Sequence, residues 1–522
     1  MSGDLPASHL EPGVYGRVHV PLPTAEQAAA ADRRARESYD IPERVLMESA
    51  GRAAALVLDR LFPRGRVAGV AGSGHNGGDL LVLLRVLRAW GRDVTLIAAG
   101  SKAPDAALRH GDELRIVPAV DGVAALGRAD VIVDGLLGTG AQGAPRGSIA
   151  EWIRRVGDAE RPVLSLDLPS GVDATTGTAA DIAIHAAATV TFGWPKLGLL
   201  LHPARAHCGR LIAVEMGFPE ACAEAGARLI TSAWVRAHLR PRAPAAHKGT
   251  AGRLLVLAGS DGMAGAAALA GRAAIRTGAG LVRLASPAAN RVILQTLLPE
   301  ATFLERDAVT SDALEPMHAI VAGPGLGTDA MARAALEHVL ELTAGRPALL
   351  DADALNLFAE DPAGLRAAAS TRPLVITPHV RELARVLDTP LESILADAPA
   401  AARRAARDFG CVVLLKGQPS LIAQPDGELF VNSVGSSDVA TAGMGDQLCG
   451  TIGALLAAAY DPAIAAALGL YLSGRAADLA QRGPSLMPSD VNDHLAHAMS
   501  DPGPASSPLG LPFITFDQPA RR

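Results

Sequence analysis

The stretch RVAGVAGSGHNGGDLLVLLRVLRAW, Arg66–Trp90, decides the fold of the first half of the chain. A short β-like apolar run ends in a glycine loop, and an apolar helix follows. Gly72, Gly74 and Gly77 satisfy G-x-G-x-x-G between the two. In that setting, main-chain N–H groups and the helix N-terminus can hold a phosphate. A dinucleotide fingerprint also wants an acidic residue ~20 positions on, at the end of the next strand. That strand ends AAGSK, Ala98–Lys102, without a carboxylate, which speaks against a conventional dehydrogenase.

Working outward, the same alternation continues through DVTLIAAG, ADVIVDGLLGTG, RPVLSLDLPSG, ATVTFGW and GRLIAVEMG. Their near-continuous apolar character predicts strands buried on both faces, as in a parallel sheet. Upstream, TAEQAAAADRRARESY reads as a helix. Thr24 is its N-cap, with Gln27 completing a capping box. These pieces define a domain over 24–232, preceded by an irregular extension, 1–23. Residues 233–247 read as a linker rich in Arg, Pro and Ala. The alternation restarts in a second domain, 248–500, with RLLVLAGS, GLVRLASP, AIVAGPGLG, PALLDADALN, PLVITPH and CVVLLKG. Residues 501–522 are rich in Pro, Ser and Gly and read as a flexible tail. The expected fold class is α/β: a Rossmann-like three-layer domain followed by a second, different α/β domain.

Composition sets the bounds. The 522 residues suggest two to four domains, 49% of residues are hydrophobic, and the net charge of -6 is spread along the chain. A nucleic-acid binder with a basic face is excluded on that charge, and disorder on that hydrophobicity. Cys208, Cys222, Cys411 and Cys449 lie far apart with no C-x-x-C, so reduced thiols fit best. The longest apolar stretch, starting at Gly450, is broken by Asp461 and Pro462, where a span needs ~20 uninterrupted residues. A cytoplasmic chain with no membrane partner is expected. Lysine occurs only at 102, 196, 248 and 416 against 44 arginines, and three of those lysines stand in Gly- or Pro-marked segments. An ammonium kept under such pressure points to work that a guanidinium cannot do.

Chemistry gathers at strand ends. Asp134, Gly138, Thr139 and Gly140 stand after one strand, and Asp167, Ser170 and Asp173 after another. Ligands collect outside the carboxyl ends of parallel strands. Asn76, Asp134 and Ser170 together offer oxygen donors, which suit a hard cation better than zinc. MESAG (Met47–Gly51), GSGHNGGD, DGLLGTG, SLDLPSGVDATTG and TFGWPKLGLLLHP together resemble the NAD(P)H-hydrate epimerase family, over residues 24–232. The resemblance implies a Rossmann-like fold and epimerisation at C6 of hydrated NADH or NADPH. It implies that His75, Asn76, Gly77, Gly78, Asp79, Gly138, Thr139, Gly140 and Asp167 bind the hydrate. It also implies that Asn76, Asp134 and Ser170 hold a potassium ion. His75 and Leu80 depart from the family's NNGGDG, and MESAG from MENAG. The hydrate is a carbinolamine, so epimerisation moves a proton as water leaves and returns. Asp167 is the candidate acid/base. Lys196 is its candidate partner, with burial expected to lower its pKa; a structural ion pair is the other reading.

VATAGMGDQLCG, Val439–Gly450, sets Gly443, Gly445 and Asp446 at the start of an apolar helix. N–H groups there stabilise phosphoryl charge, and Asp446 can take a proton from an attacking hydroxyl. G-x-G-D at a late helix is the mark of ribokinase-like folds. With HKGTAGRLLVLAGS, AGPGLG, LLDADALN, TPHVRE and VVLLKGQPSLIA, it resembles the ADP/ATP-dependent NAD(P)H-hydrate dehydratase family. The resemblance implies that Ala266, Gly325, His379 and Asp446 contact the hydrate. It implies that Lys416, Gly417, Gln418, Pro419, Ser420 and Gly445 contact the nucleotide. ADP, with Mg2+, is expected in preference to ATP. Ser436, Ser437 and Asp438 depart from the family, and Asp438 brings a negative charge near a phosphate site. The expected partners are the hydrates NADHX and NADPHX, ADP or ATP, and further copies of the chain in a homo-oligomer. Two other readings stay open: a small-molecule kinase with an accessory domain, and a nucleotide-binding regulatory protein with a decayed second site.

Overall fold

The computed structural model describes residues 18–99, 114, 116–141, 143–245, 247, 249, 251–504, 509–511 and 513–518. Lys102, Lys248 and most of the 1–23 extension lie outside the described residues. The chain divides into two compact units, Met1–Arg228 with Pro504–Arg522, and Leu229–Gly503.

In the first unit the sheet runs Ile514–Gln518, Arg210–Val214, Ala188–Phe192, Val163–Leu166, Val131–Gly135, Val67–Ala71, Val94–Ala98, Ile116–Val117. The seven strands from Arg210 to Ile116 pair in parallel. Alternate residues of one strand feed opposite cores. Val67 and Ala71 pack on one face with Leu80, Leu84 and Leu58. Ala68 and Val70 pack on the other with Ile97, Trp152 and Ile153. That is the three-layer arrangement the apolar runs predict. The helix Ala25–Tyr39 begins with the expected capping box: Gln27 N–H donates to Thr24 Oγ1 at 3.2 Å, and Thr24 N–H to Gln27 Oε1 at 2.9 Å.

Two boundary readings are corrected. Residues 501–522 are not simply a tail, because Ile514–Gln518 forms a strand antiparallel to Arg210–Val214. Arg210 grips Asp517 with two hydrogen bonds, Nε to Oδ1 at 2.8 Å and Nη2 to Oδ2 at 2.5 Å. The Pro/Ser/Gly run just upstream masked that strand in the sequence. The linker 233–247 likewise starts inside a helix, Ser232–His238, capped by Thr231 and burying Trp234 and Val235. Within the 1–23 extension, Val20–Pro21 is a short strand. Asp517→Ala is expected to cost ~1–3 kcal/mol, the range for a charged hydrogen bond whose partner is left behind. Urea unfolding of the first unit should then shift to a lower midpoint; an unmoved midpoint would remove the strand from the stable fold.

In the second unit, the sheet runs Leu429–Asn432, Ser420–Ala423, Val412–Leu415, Leu374–Ile376, Ala348–Leu350, Ala319–Ala322, Arg253–Leu257, Leu281–Ser286, Thr302–Glu305. It is parallel from Val412 onward, with an antiparallel meander at the Leu429 side. Each sheet has a point where strand order reverses: beside Val67–Ala71 in the first unit, beside Arg253–Leu257 in the second. In open α/β sheets, ligands bind outside the carboxyl ends of the strands at such a point.

Candidate active sites

The first unit holds a cavity of about 860 Å³, lined among others by His75, Asn76, Asp79, Thr139, Asp167 and Lys196. Its glycine loop is tight for a steric reason. A Cβ on Gly72 would lie 2.0 Å from the Leu136 carbonyl oxygen, and one on Gly77 would lie 2.2 Å from that of Gly72. No side chain fits at either place, so the loop presents bare main chain.

Asp167 directly follows the strand Val163–Leu166. Its φ is +64°, and Leu168 N–H donates across it to Leu166 O at 2.8 Å. Such a one-residue turn at a non-glycine position costs about 1–3 kcal/mol and persists where the surroundings hold it. They do so here: Lys196 Nζ donates to Asp167 Oδ1 at 2.5 Å, and Thr139 N–H to Oδ2 at 3.2 Å. Lys196 is 4% exposed, and Nζ also donates to Thr191 Oγ1 at 3.0 Å and to Phe192 O at 3.1 Å. Lys196 and Asp167 thus form a buried ion pair, the contact that both readings of this lysine require. Three oxygens surround the ammonium because Thr191 and Phe192 close the strand just before the WPK turn.

Asp79 enters the same cavity from the helix His75–Ala89. Burial, then the charge of Asp167, pushes its carboxyl well above the usual range. It accepts no hydrogen bond among the described residues. Asp32, from the helix Ala25–Tyr39, also lines the cavity, and burial raises its carboxyl too. Asp32 escaped the sequence reading because an Asp on an Ala-rich charged helix looks like any solvated face. His75 sits at the mouth, with its Nε2 3.1 Å from Glu43 Oε1.

Beneath the cavity, Asp134 and Ser170 are in contact, and Asn76 is linked to Ser170 through the main chain of Leu137. Asp134 is 0% exposed and accepts from Ser170 Oγ at 2.7 Å, Ser170 N–H at 2.9 Å, Ser165 Oγ at 3.0 Å and Leu136 N–H at 3.2 Å. Burial raises its carboxyl despite these bonds, and it makes no ion pair among the described residues. Asn76 Nδ2 donates to Leu137 O at 2.7 Å and Leu166 O at 3.0 Å. Its Oδ1 is buried with no partner among the described residues. Gly138 and Gly140 belong to the loop that carries Thr139 over Asp167.

In the second unit, Asp446 lies in the first turn of the helix Met444–Ala457, whose cap residue Gly443 has φ +89°. Burial, then the charge of Asp351, pushes the Asp446 carboxyl up to about 6, with Lys416 pulling the other way. Lys416 Nζ donates to Asp351 Oδ1 at 2.6 Å and lies 3.8 Å from Glu382 Oε2. A Cβ on Gly445 would stand 3.6 Å from Lys416 Nζ, so the ammonium lies under the glycine turn. Lys416–Ser420 is the hairpin between Val412–Leu415 and Ser420–Ala423, with Ser420 Oγ donating to Gly417 O at 2.9 Å; Gln418 and Pro419 form its tip. His379 bridges to Lys416 through the main chain and caps the helix Val380–Val386, accepting from Arg381 and Glu382 N–H at 3.1 Å each. Gly325 lies against Ala266, its Cβ position 3.1 Å from that of Ala266. Asp438 is answered locally by Ser436 Oγ at 2.7 Å, within its own turn. Asp351, Glu382 and Cys449 also belong to this cluster, and the strand-end position of Asp351 is the sequence signal for it. All four cysteines are buried and free, and no helix among the described residues is long and apolar enough to cross a membrane.

A doubly wound domain with a carboxylate-lined pocket, joined in one chain to a second parallel α/β domain with Asp at a glycine-led helix start, has the layout of a two-site enzyme of small-molecule chemistry. Residues 43–198 match the family described as YjeF-related protein N-terminus, and residues 254–498 match NAD(P)H-hydrate dehydratase. The chain is 37% identical over 517 residues to a bifunctional NAD(P)H-hydrate repair enzyme of Moorella thermoacetica, covering 92% of this chain and 96% of that one. It is 36% identical over 469 residues to the Escherichia coli enzyme of that name, covering 87% and 88%. A Bacillus subtilis ADP/ATP-dependent NAD(P)H-hydrate dehydratase, co-crystallised with ATP/Mg2+, aligns at 33% identity and TM-score 0.46, covering 52% of this chain and 96% of that one. The chain belongs to the bifunctional NAD(P)H-hydrate repair enzymes. Its first domain is the epimerase and its second the ADP/ATP-dependent dehydratase of NAD(P)H hydrates.

Proposed function

We propose that Asp167, held by Lys196, and Asp79 carry epimerisation in the first domain, and that Asp446 carries dehydration in the second. In the first cavity, the ring nitrogen of the hydrate pushes out the C6 hydroxyl, which leaves as water once protonated. Asp79, whose surroundings favour the protonated form, gives that proton. Asp167 faces the cationic ring that results and takes a proton from the water that returns from either face, after which the two carboxyls re-equilibrate through solvent. Lys196 keeps the Asp167 carboxylate in place. The ion pair at the cavity floor is the observation that carries this reading. His75, Gly77, Gly78 and the Gly138–Gly140 loop hold the rest of the hydrate.

A potassium ion suits the residues beneath. Among the described residues, a buried carboxylate without an ion-pair partner, Asp134, and a buried oxygen without a hydrogen bond, Asn76 Oδ1, are what a hard monovalent cation satisfies. Asn76, Asp134 and Ser170 would hold it, and the ion would supply charge balance and stiffness to the loops that carry the hydrate. Epimerase rates measured in potassium against a bulky organic cation should differ several-fold, and Asp134→Ala should erase the difference. A full potassium response in that variant removes the assignment.

In the second domain, the magnesium complex of ADP, or of ATP, is the co-substrate, ADP being the preferred one. Its phosphates rest on the Gly445 turn and the Lys416–Ser420 hairpin, with Lys416 offsetting their charge. Ala266, Gly325 and His379 position the hydrate. Asp446 takes the C6 hydroxyl proton as that oxygen attacks the terminal phosphorus, and AMP leaves when ADP is the donor. The C6–O bond then breaks with release of phosphate, C5 loses a proton, and NAD(P)H results. The supporting observation is the placement of Asp446 in the first turn of the Gly443-capped helix, beside the Gly445 turn under which Lys416 lies; burial and Asp351 push its carboxyl up to about 6. Phosphate and AMP should appear in equal amounts with each NADPH formed. A stable phosphorylated product instead would favour the kinase reading. The setting is a cytoplasmic homo-oligomer with no nucleic-acid or membrane partner.

A further inference from the structure

Asp351 directly follows the strand Ala348–Leu350, is 1% exposed, and is used by none of the steps above. Both of its oxygens are engaged. Lys416 Nζ donates to Oδ1 at 2.6 Å, and the buried thiol of Cys449 to Oδ2 at 3.1 Å. Burial pushes this carboxyl up, but Lys416 outweighs it and holds it below the usual range. Cys449 stands one helical turn beyond Gly445 in the same helix, so Asp351 is tied to that helix by the thiol and to the hairpin by the ammonium. A Cβ at Gly445 would lie 3.4 Å from Asp351 Oδ2 and 3.6 Å from Lys416 Nζ. Carboxylate and ammonium therefore meet directly beneath the turn that receives phosphate.

A lysine ammonium is a point charge on a flexible stem, and it needs a fixed seat to act as a reliable phosphate contact. Left without Asp351, Lys416 has two other carboxylates to meet. Glu382 is 3.8 Å away, and Asp446 already feels the Lys416 charge. Pairing with Asp446 would quench the base. We infer that Asp351 is a positioning residue for dehydration: through its ion pair it aims Lys416 at the phosphate seat beside Gly445 and keeps the ammonium off Asp446. The inference rests on the dehydratase roles proposed above.

The test is a double-mutant cycle on the full chain, with Asp351→Asn, Lys416→Met and the double variant, read as KM for ADP, kcat and pH profile. Asp351→Asn should raise the KM for ADP at least tenfold. It should also move the acidic limb of dehydratase activity to lower pH, because Asp446 then faces Lys416 with only Asp353 left as the opposing charge. In the Lys416→Met background, the same change should alter KM less than threefold, since there is no ammonium left to aim. Equal effects in both backgrounds, or an unmoved KM and limb, would overturn the inference. Lys416→Arg provides a second reading that leaves Asp351 untouched. A guanidinium does not fit the 2.6 Å seat as an ammonium does, so KM should rise at least fivefold; a wild-type KM would overturn the seat. Wild-type enzyme that makes no NADPH from hydrate and ADP sinks the dehydratase reading and this inference with it, whereas active wild type with additive variants sinks the inference alone.

Discussion

Asp446→Asn should abolish nucleotide-dependent dehydration while epimerisation continues at the wild-type rate. The expected loss in kcat is 10²–10⁴-fold, the usual contribution of a positioned general base. Asn keeps the shape of the side chain and the helix start but accepts no proton, so the hydrate oxygen meets the phosphorus still protonated. The same group sets the pH dependence. Its carboxyl is raised to about 6 by burial and by Asp351, and it must be ionised to act. Dehydratase kcat/KM should therefore fall below about pH 6, by ~tenfold per pH unit, as one proton is taken up. Asp446→Asn should lose that limb from its residual rate. An intact limb in the variant would transfer the role of base to another group.

The second large effect is expected at the floor of the first cavity. Asp167→Asn should slow epimerisation by ~10²-fold or more, the lower end for a group acting on a proton in flight. Lys196→Met should do more damage, for a separate reason. It leaves Asp167 with 13% side-chain exposure and no counter-ion at 2.5 Å. Breaking one partner out of a buried pair costs about 3–5 kcal/mol, so lower stability of the first unit should accompany the lost activity. The second active site provides the control within the same chain. S hydrate should still be converted to NADPH at the wild-type rate, while R hydrate persists except for spontaneous interconversion. Persistence of R hydrate with normal S turnover in both variants assigns the pair; wild-type R turnover in either would dismiss it.

The alternation of apolar strands and Ala-rich helices made both sheets legible, because strands buried on two faces leave a continuous apolar trace. Glycine loops at strand ends made the first cavity legible too, since Gly72 and Gly77 exclude a Cβ by direct contact with main-chain oxygens. What stayed hidden depends on tertiary placement. The strand Ile514–Gln518 follows a segment with a loop's composition and pairs with a strand some three hundred residues earlier, which no local window can see. Asp32 reaches the first cavity from a helix whose sequence reads as a solvated surface. The contacts of Lys196 were not legible either, because Asp167, Thr191 and Phe192 come to its ammonium from different strand ends and only the fold brings them together. Asp351 stood in a motif at a strand end. Its link to Lys416 joins positions separated by two intervening strands in sequence, and spacing alone does not reveal it.

The most direct measurement is absorbance at 340 nm from a mixture of R and S NADPH hydrates, given ADP or ATP in turn, with wild type, Asp446→Ala and Asp167→Ala side by side. The expected result is full recovery by wild type, none by Asp446→Ala, and in Asp167→Ala a fast phase for the S form followed by one at the spontaneous rate. Full recovery by Asp446→Ala, or a single fast phase in Asp167→Ala, would contradict the division of labour between the two sites.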